Sequence, residues 1–209
     1  MPRKKTSPSR PNPPRRRLTR AVRGQQLLDA AQRLFIENGY QGTSIEDLAS
    51  AAGVTRPIIY HHYGSKDGIY LACLRRARAD LDQRLGAAAG DGSDDLRQRL
   101  QRGIDAYFSF VQHDRASWSL LFGGGVAIAG SAAEQAMALR FETVARITDL
   151  LAQSLPRVAR KKLEAYAHAI SGSGEQLAKW WLQQPRMSRR RIVEQHLEFC
   201  WQGLKLLQP

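Results

Sequence analysis

Between Thr43 and Lys66 the chain brings Arg56, Tyr60, His61, His62 and Lys66 close together, with Thr55, Pro57 and Ile58 interleaved. These types suit a polyanion whose edges can be read. A guanidinium pairs in bidentate fashion with guanine O6 and N7, so Arg56 is the residue most able to distinguish a base. Thr55, Tyr60, His61 and Lys66 supply hydroxyl, imidazole and ammonium groups that suit phosphate oxygens. The free amides at a helix start near Thr43 suit a phosphate too. Pro57 and Ile58 offer only apolar contact, most naturally to a thymine methyl. His61 and His62 are adjacent and point to different sides of a helix, which argues against a metal site there.

Side chains of this kind discriminate only if something rigid aims them. Thr43 or Ser44 can accept from first-turn amides, and Glu46 lies three residues after Thr43, the spacing of a capping box. Ile45, Leu48, Ala49 and Ala52 then share one helical side. Gly53 supplies the freedom for a sharp turn. Thr55 caps a second helix with Pro57 in its first turn, where a missing N–H costs nothing. Ile59 is its apolar anchor. The stretch predicts a helix-turn-helix over 43–62, with its second helix presented outward.

The run Gly39-Tyr40, Thr43, Ile45-x-x-Leu48-Ala49-x-x-Ala52-Gly53-Val54, Ile59-Tyr60-His61-His62-Tyr63 and Ser65-Lys66-Asp67 resembles the DNA-binding domain of TetR-type (TetR/AcrR) transcriptional regulators. The resemblance covers roughly residues 20 to 80 in the family's order and spacing; the rest of the chain is similar only in length and helical character. It implies that the second helix of the motif lies in the major groove. It also implies phosphate contacts from Thr43, Tyr60, His62 and Lys66, base contacts from Arg56, Pro57 and Ile58, and either kind from His61.

Composition bounds the rest. The 209 residues, 43% apolar, suffice for a sizeable core, and the net charge of +13 favours nucleic acid or an anionic membrane surface as partner. Cys73 and Cys200 stand far apart without a CxxC, the usage of a reducing compartment. No apolar run approaches the ~20 residues of a membrane span, and the basic N-terminus lacks the apolar stretch of a signal peptide. The expectation is a cytoplasmic protein with no membrane partner, no cofactor and no metal.

In chain order, residues 1–19 combine Pro2, Pro8, Pro11, Pro13 and Pro14 with Arg3, Lys4, Lys5, Arg10 and Arg15-Arg16-Arg17. Such a segment cannot bury enough surface to offset its ordering entropy and is expected to be a disordered basic arm, either a solvated tail or a phosphate-tracking extension. Residues 20–80 form the helix-turn-helix domain. A helix from about Thr19 to Asn38 props the motif, and one capped by Ser65 carries Ile69, Ala72, Leu74, Ala77, Leu81 and Leu85 into the next domain. The stretch from Gly86 to Ser93, with Gly90-Asp91-Gly92, is expected to break the helix as a loop. Helical periodicity continues over about 94–112, 116–122, 132–154, 161–183 and 188–207, with Pro156 and Pro185 as breaks. The expected fold is all-α: an N-terminal three-helix DNA-binding domain followed by a larger helical ligand-binding and dimerisation domain over 81–209.

Two features of that larger domain bear on function. Val193, Leu197, Cys200, Leu204 and Leu207 step by fours and threes, a heptad-like seam, and the preceding helix offers Leu163, Ile170, Leu177 and Trp181. Each helix could pack within one subunit. A motif that reads DNA with one helix usually works as a dimer on two half-sites, and the resemblance implies dimerisation through the last two helices, so these residues are expected at a homodimer interface. Second, aromatic residues are abundant. The resemblance implies a cavity for a small apolar or aromatic inducer, lined by Tyr107, Phe110, Trp118, Phe122, Phe141 and Trp180, with Glu142, His113 and Gln176 as polar orienters. The alternative for each ring is ordinary core. Gly123-Gly124-Gly125 could edge the pocket; it is no phosphate loop, since no Gly-Lys-Ser/Thr follows.

The leading expectation is a regulator, a repressor in the family's commoner habit, that binds double-stranded DNA at a palindromic operator and leaves it on binding inducer. The alternative is an all-α enzyme, or a ligand-binding protein with a non-specific basic arm. No G-x-S-x-G, H-E-x-x-H or dinucleotide fingerprint supports an enzyme.

Overall fold

The computed structural model describes residues 19–88, 95–123 and 130–207. The basic arm (all but Thr19), the Gly90-Asp91-Gly92 loop and Gly124-Gly125 lie outside those residues. The described chain is all-α, without a strand: α1 Arg20–Asn38, α2 Ile45–Ala51, α3 Arg56–Tyr63, α4 Lys66–Ala88, α5 Leu96–His113, α6 Arg115–Trp118, α7 Ser131–Ser154, α8 Arg160–Trp181 and α9 Arg189–Lys205. A π-helical turn, Ser119–Gly123, continues α6. None of these helices is long and apolar enough to cross a membrane.

The helix starts follow from the caps. Thr19 accepts from the Val22 amide, and Ser188 from the Arg191 amide. Asp95 and Gln98 exchange bonds in a capping box at the head of α5. At α2 the box is one residue later than the spacing suggests. Ser44 pairs with Asp47, while the Thr43 hydroxyl turns inward and donates to the Gly39 carbonyl at 2.8 Å. Thr43 and Ser44 are both competent acceptors; Thr43 takes the buried position, 1% exposed, with its hydroxyl directed to the Leu34 and Gly39 carbonyls at the end of α1.

Two devices hold the motif against α4. Phe35, Tyr40 and Tyr70 form an edge-on cluster, with Tyr70 at 5.0 Å from Phe35 and 5.1 Å from Tyr40 between ring centroids. Ser65 caps α4 by accepting from the Gly68 amide, and Gly68 itself lies directly under the end of α3. A Cβ at Gly68 would stand 1.9 Å from the Tyr63 carbonyl oxygen, so only glycine lets α3 abut α4. The reading helix is thereby tied to a 23-residue rod that touches α1 and α3 at one end and α5 and α7 at the other. One continuous core runs from Leu27 to Leu207.

The periodicity of the last two helices has a different use from the one expected. Leu163, Ile170, Trp181, Val193, Leu197, Cys200, Leu204 and Leu207 are all buried inside the single chain, and Leu177 is half-buried. Eight of these nine side chains are thus covered by their own chain, where α5, α8 and α9 meet, and Leu177 only in part. The outer ridges are different residues. On α8 these are Ala165, Ala169, Gly172, Gln176 and Trp180; on α9 they are Gln195, Phe199, Gln202 and Leu206. Phe199 is 67% and Leu206 80% exposed, far more than a side chain that serves only its own core. Ser173 meets His196 at 3.0 Å and Tyr166 lies beside Gly203, which sets the helices antiparallel with Phe199 level with Ala169 and Ile170.

Candidate functional site

The first site is the outer surface of α3. Ile59 alone of its residues is buried, and it pins the helix to the core. Thr55, Arg56, Pro57, Ile58, Tyr60 and His61 are exposed together on that surface. Thr55 makes no cap bond, leaving its hydroxyl for an outside partner. Arg56 Nη1 donates to Glu46 Oε1 at 2.5 Å; Glu46's own backbone amide first, and then this contact, hold the Glu46 carboxyl below the usual carboxylate range. The pair is solvent-exposed and so weaker than a bidentate arginine–guanine contact. Arg56 is held in place by Glu46 yet readily exchanged.

Lys66 lies half-buried at the start of α4 with its Nζ 4.3 Å above the Tyr40 ring. Tyr40 in turn donates its phenol proton to Asp67, and burial pushes that phenol up to about 12. The lysine stem is therefore fixed beside the motif rather than waving in solvent. His62 is turned toward α1, next to Arg20 and Arg23; burial first, then these charges, hold its pKa below the ordinary imidazole value. Tyr63 donates to the Gly24 carbonyl at 2.8 Å and closes the same seam. The Thr43 side chain is buried, its hydroxyl directed to the Leu34 and Gly39 carbonyls, so a phosphate near Thr43 would be met by backbone amides.

The second site is a cavity of about 400 Å³ enclosed by α4, α5, α7, α8 and α9. Its walls are aliphatic: Leu85, Leu100, Ile104, Ile147, Leu150 and Ile170. Arg99 and Arg146 supply positive charge, Asp149 one negative charge, and Thr143, Ser171, Gln153 and His196 hydrogen-bonding capacity. Of the six aromatic residues expected to line it, Tyr107 does. Phe110, Trp118 and Phe122 are buried in the core, Trp118 donating to the Tyr107 hydroxyl at 2.9 Å from behind. Phe141 and Trp180 are each 44% exposed on the surface. None of the expected orienters lines it: Glu142 bonds Arg78 at 3.2 Å, His113 pairs with Ser109, and Gln176 is exposed on α8. The signal missed in the sequence is the set of small or polar residues at helical spacing, Arg99, Gly103, Ser171 and Gly174, which leave space and line it.

Between the two sites runs a charged chain. Arg78, 3% exposed in its side chain, bonds Asp82 and donates to Thr143 at 2.6 Å; Arg146 reaches the same Asp82 at 3.0 Å. Thr143 and Arg146 both line the cavity, whereas Arg78 and Asp82 belong to α4. The cavity wall and the rod under the reading helix thus share one network.

Comparison with known proteins then decides the family. Residues 27–73 match a family described as bacterial regulatory proteins, tetR family, and residues 96–203 match the tetracyclin repressor-like C-terminal domain. The chain is 30% identical over 189 residues to the HTH-type transcriptional activator FasR of Mycolicibacterium smegmatis, covering 90% of this chain and 85% of that one. This is a TetR-family protein. A TetR-like transcriptional regulator from Rhodococcus sp. RHA1 is 30% identical, superposes with a TM-score of 0.73, and covers 90% of this chain and 99% of its own. AibR, solved in complex with isovaleryl coenzyme A and operator DNA, shares the fold at 19% identity and a TM-score of 0.70 over 85% of this chain and 97% of its own. The family consists of transcriptional regulators, so the enzyme alternative falls.

Burial shifts several titratable groups in this TetR-family chain. Burial raises the Cys73 thiol to about 12 and the Cys200 thiol to about 11, which keeps both protonated and unreactive near neutral pH. Burial lowers His196 from 6.5 to about 4. A histidine depressed on folding binds fewer protons folded than unfolded between those values. Its stability contribution is full above pH 6.5 and is lost as pH falls toward 4. Urea midpoints taken from pH 7 to pH 4 should therefore fall through that window, and a His196→Phe variant should lose less of its stability across it.

Proposed function

We propose that the protein binds a palindromic operator as a homodimer, reads it with α3, and leaves it when an aliphatic ligand occupies the cavity. The observation that carries the DNA reading is the exposed set Thr55, Arg56, Pro57, Ile58, Tyr60 and His61 on a helix that glycine and aromatic packing hold against α4. Arg56 exchanges Glu46 for a guanine edge; Pro57 and Ile58 meet thymine methyls; Thr55, Tyr60 and Lys66 meet phosphates, as does His62 with Arg20 and Arg23 at the motif's edge. Each half-site lies about 34–36 Å from its partner. Repression follows where the operator overlaps the polymerase site.

The dimer uses the exposed ridges of α8 and α9. Ala165, Ala169 and Gly172 permit close helix approach, and Phe199, Leu206 and Trp180 supply apolar area. A two-fold axis there gives each reading helix an identical partner.

For the ligand, an acyl chain fits better than an aromatic ring. The cavity walls are branched aliphatics with Tyr107 as the one benzenoid ring, and Arg99 and Arg146 match an anionic or carbonyl-bearing end. The isovaleryl coenzyme A held by AibR, which shares the fold, is of that chemistry. Occupancy that draws Arg146 from Asp82 loosens the hold on Arg78 and lets α4 swing; a ligand moves the equilibrium only by its preference for that state.

Gel shifts on the operator and on random DNA at two salt concentrations test the DNA reading. Arg56→Ala should lose about 1–3 kcal/mol at one base position and relax the preference there. Lys66→Ala should weaken both DNAs alike and lower the salt slope by about one. Equal losses by both variants on both DNAs would overturn the division of roles.

A further inference from the structure

We infer that His196 is the polar recognition point inside the cavity, and that the ligand is an apolar molecule carrying an O–H or N–H donor that pairs with His196 Nδ1. The inference deepens the cavity reading above and rests on it.

His196 is 2% exposed, and it is a wall residue of the cavity. We assign its tautomer from the hydrogen bonds around it. Ser173 Oγ gives its one proton to the Ile170 carbonyl at 3.0 Å. The oxygen is then left to accept, and His196 Nε2 stands 3.0 Å from it. Nε2 therefore carries the imidazole proton, and Nδ1 is an acceptor with a free lone pair. Among the described residues Nδ1 has no hydrogen-bond partner.

A buried acceptor left without a partner is costly, and native folds rarely keep one unless something else fills the bond. Here the surroundings leave room for a ligand rather than for a protein group. The aliphatic walls take an apolar body, and a neutral imidazole acceptor excludes a carboxylate oxygen at that point, since an ionised carboxylate carries no proton to give. An anionic end belongs at Arg99 and Arg146 instead. The donor must sit on the part of the ligand inside the cavity, as in a hydroxylated chain or an amide-containing one.

The test compares two isomers, 1-octanol and heptyl methyl ether, which share size and apolarity and differ in the hydroxyl proton. Calorimetric titration of the full chain should give about tenfold tighter binding of 1-octanol. In a His196→Phe variant the two should bind alike. Should that variant fail to fold, nitrogen NMR of the parent chain with labelled histidine gives the same answer. The imidazole that stays neutral to the lowest pH should show the Nε2–H tautomer and an Nδ1 shift with 1-octanol but not with the ether. Equal binding of both isomers by the parent chain overturns the role of His196 while leaving the cavity as a ligand site. Binding of neither overturns the cavity reading and this inference together.

Discussion

Asp82→Ala is expected to lower unfolding stability by about 3 kcal/mol, whereas Arg78→Met should cost about 1 kcal/mol or less. The asymmetry comes from where the charges lie. Arg78 is 3% exposed in its side chain and Asp82 24%. Removing Asp82 strands a buried guanidinium with Thr143 at 2.6 Å and the half-exposed Glu142 at 3.2 Å. Removing Arg78 leaves Asp82 with Arg146 at 3.0 Å and with water, while methionine fills much of the vacated volume. Urea unfolding at one fixed protein concentration measures both, since subunit association otherwise moves the midpoint. A larger loss for Arg78→Met than for Asp82→Ala would mean that the network is held together by packing and not by charge. The same network is proposed to connect ligand to DNA. The Asp82→Ala chain, where it still folds, should therefore bind operator yet respond weakly to a ligand that discharges the parent.

Phe199→Glu should convert the protein to a folded monomer and lower operator affinity by about 10²–10⁴-fold. Phe199 is 67% exposed in the single chain, so a carboxylate there costs the protomer little. Across a two-fold axis it would place like charges against an apolar ridge, and two linked reading heads would become one. Light scattering gives the mass, circular dichroism the fold, and a gel shift the affinity. Leu204→Glu is the contrasting variant. Leu204 is fully enclosed, so its replacement should unfold the chain rather than dissociate it. A Phe199→Glu protein that remains dimeric would move the interface to another surface.

The two cases mark where sequence reasoning reaches and where it stops. Val193, Leu197, Cys200, Leu204 and Leu207 form the most regular apolar seam in the chain, and it is the resemblance and the two-half-site logic, not regularity, that places them at an interface. Periodicity identifies a face that is buried; it does not say by what. The chain's own α5 and α8 cover that face, while the ridge beside it mixes glutamine with Phe199 and Leu206 and gives no comparable signal. The cavity misled in a related way. Ring count suggested an aromatic lining, yet Phe110, Trp118 and Phe122 fill the core, because large rings satisfy packing best where no space is left.

By itself the sequence determined the all-α class, the extents of most helices to within a residue or two (α4 runs on through Gly86 to Ala88, past the expected break), and the motif from Ser44 to Lys66. Each of those depends on local chemistry: caps, apolar spacing, and glycine or proline at the breaks. Tertiary structure alone decided that Thr43 turns inward and Ser44 caps, that Arg56 rests on Glu46, which flank of α8 and α9 stays open, and that Arg78, Asp82 and Arg146 meet. These depend on which of several equally suitable surfaces a distant helix covers, and that choice is made by the sum of contacts over the whole core, a quantity no short window of residues contains.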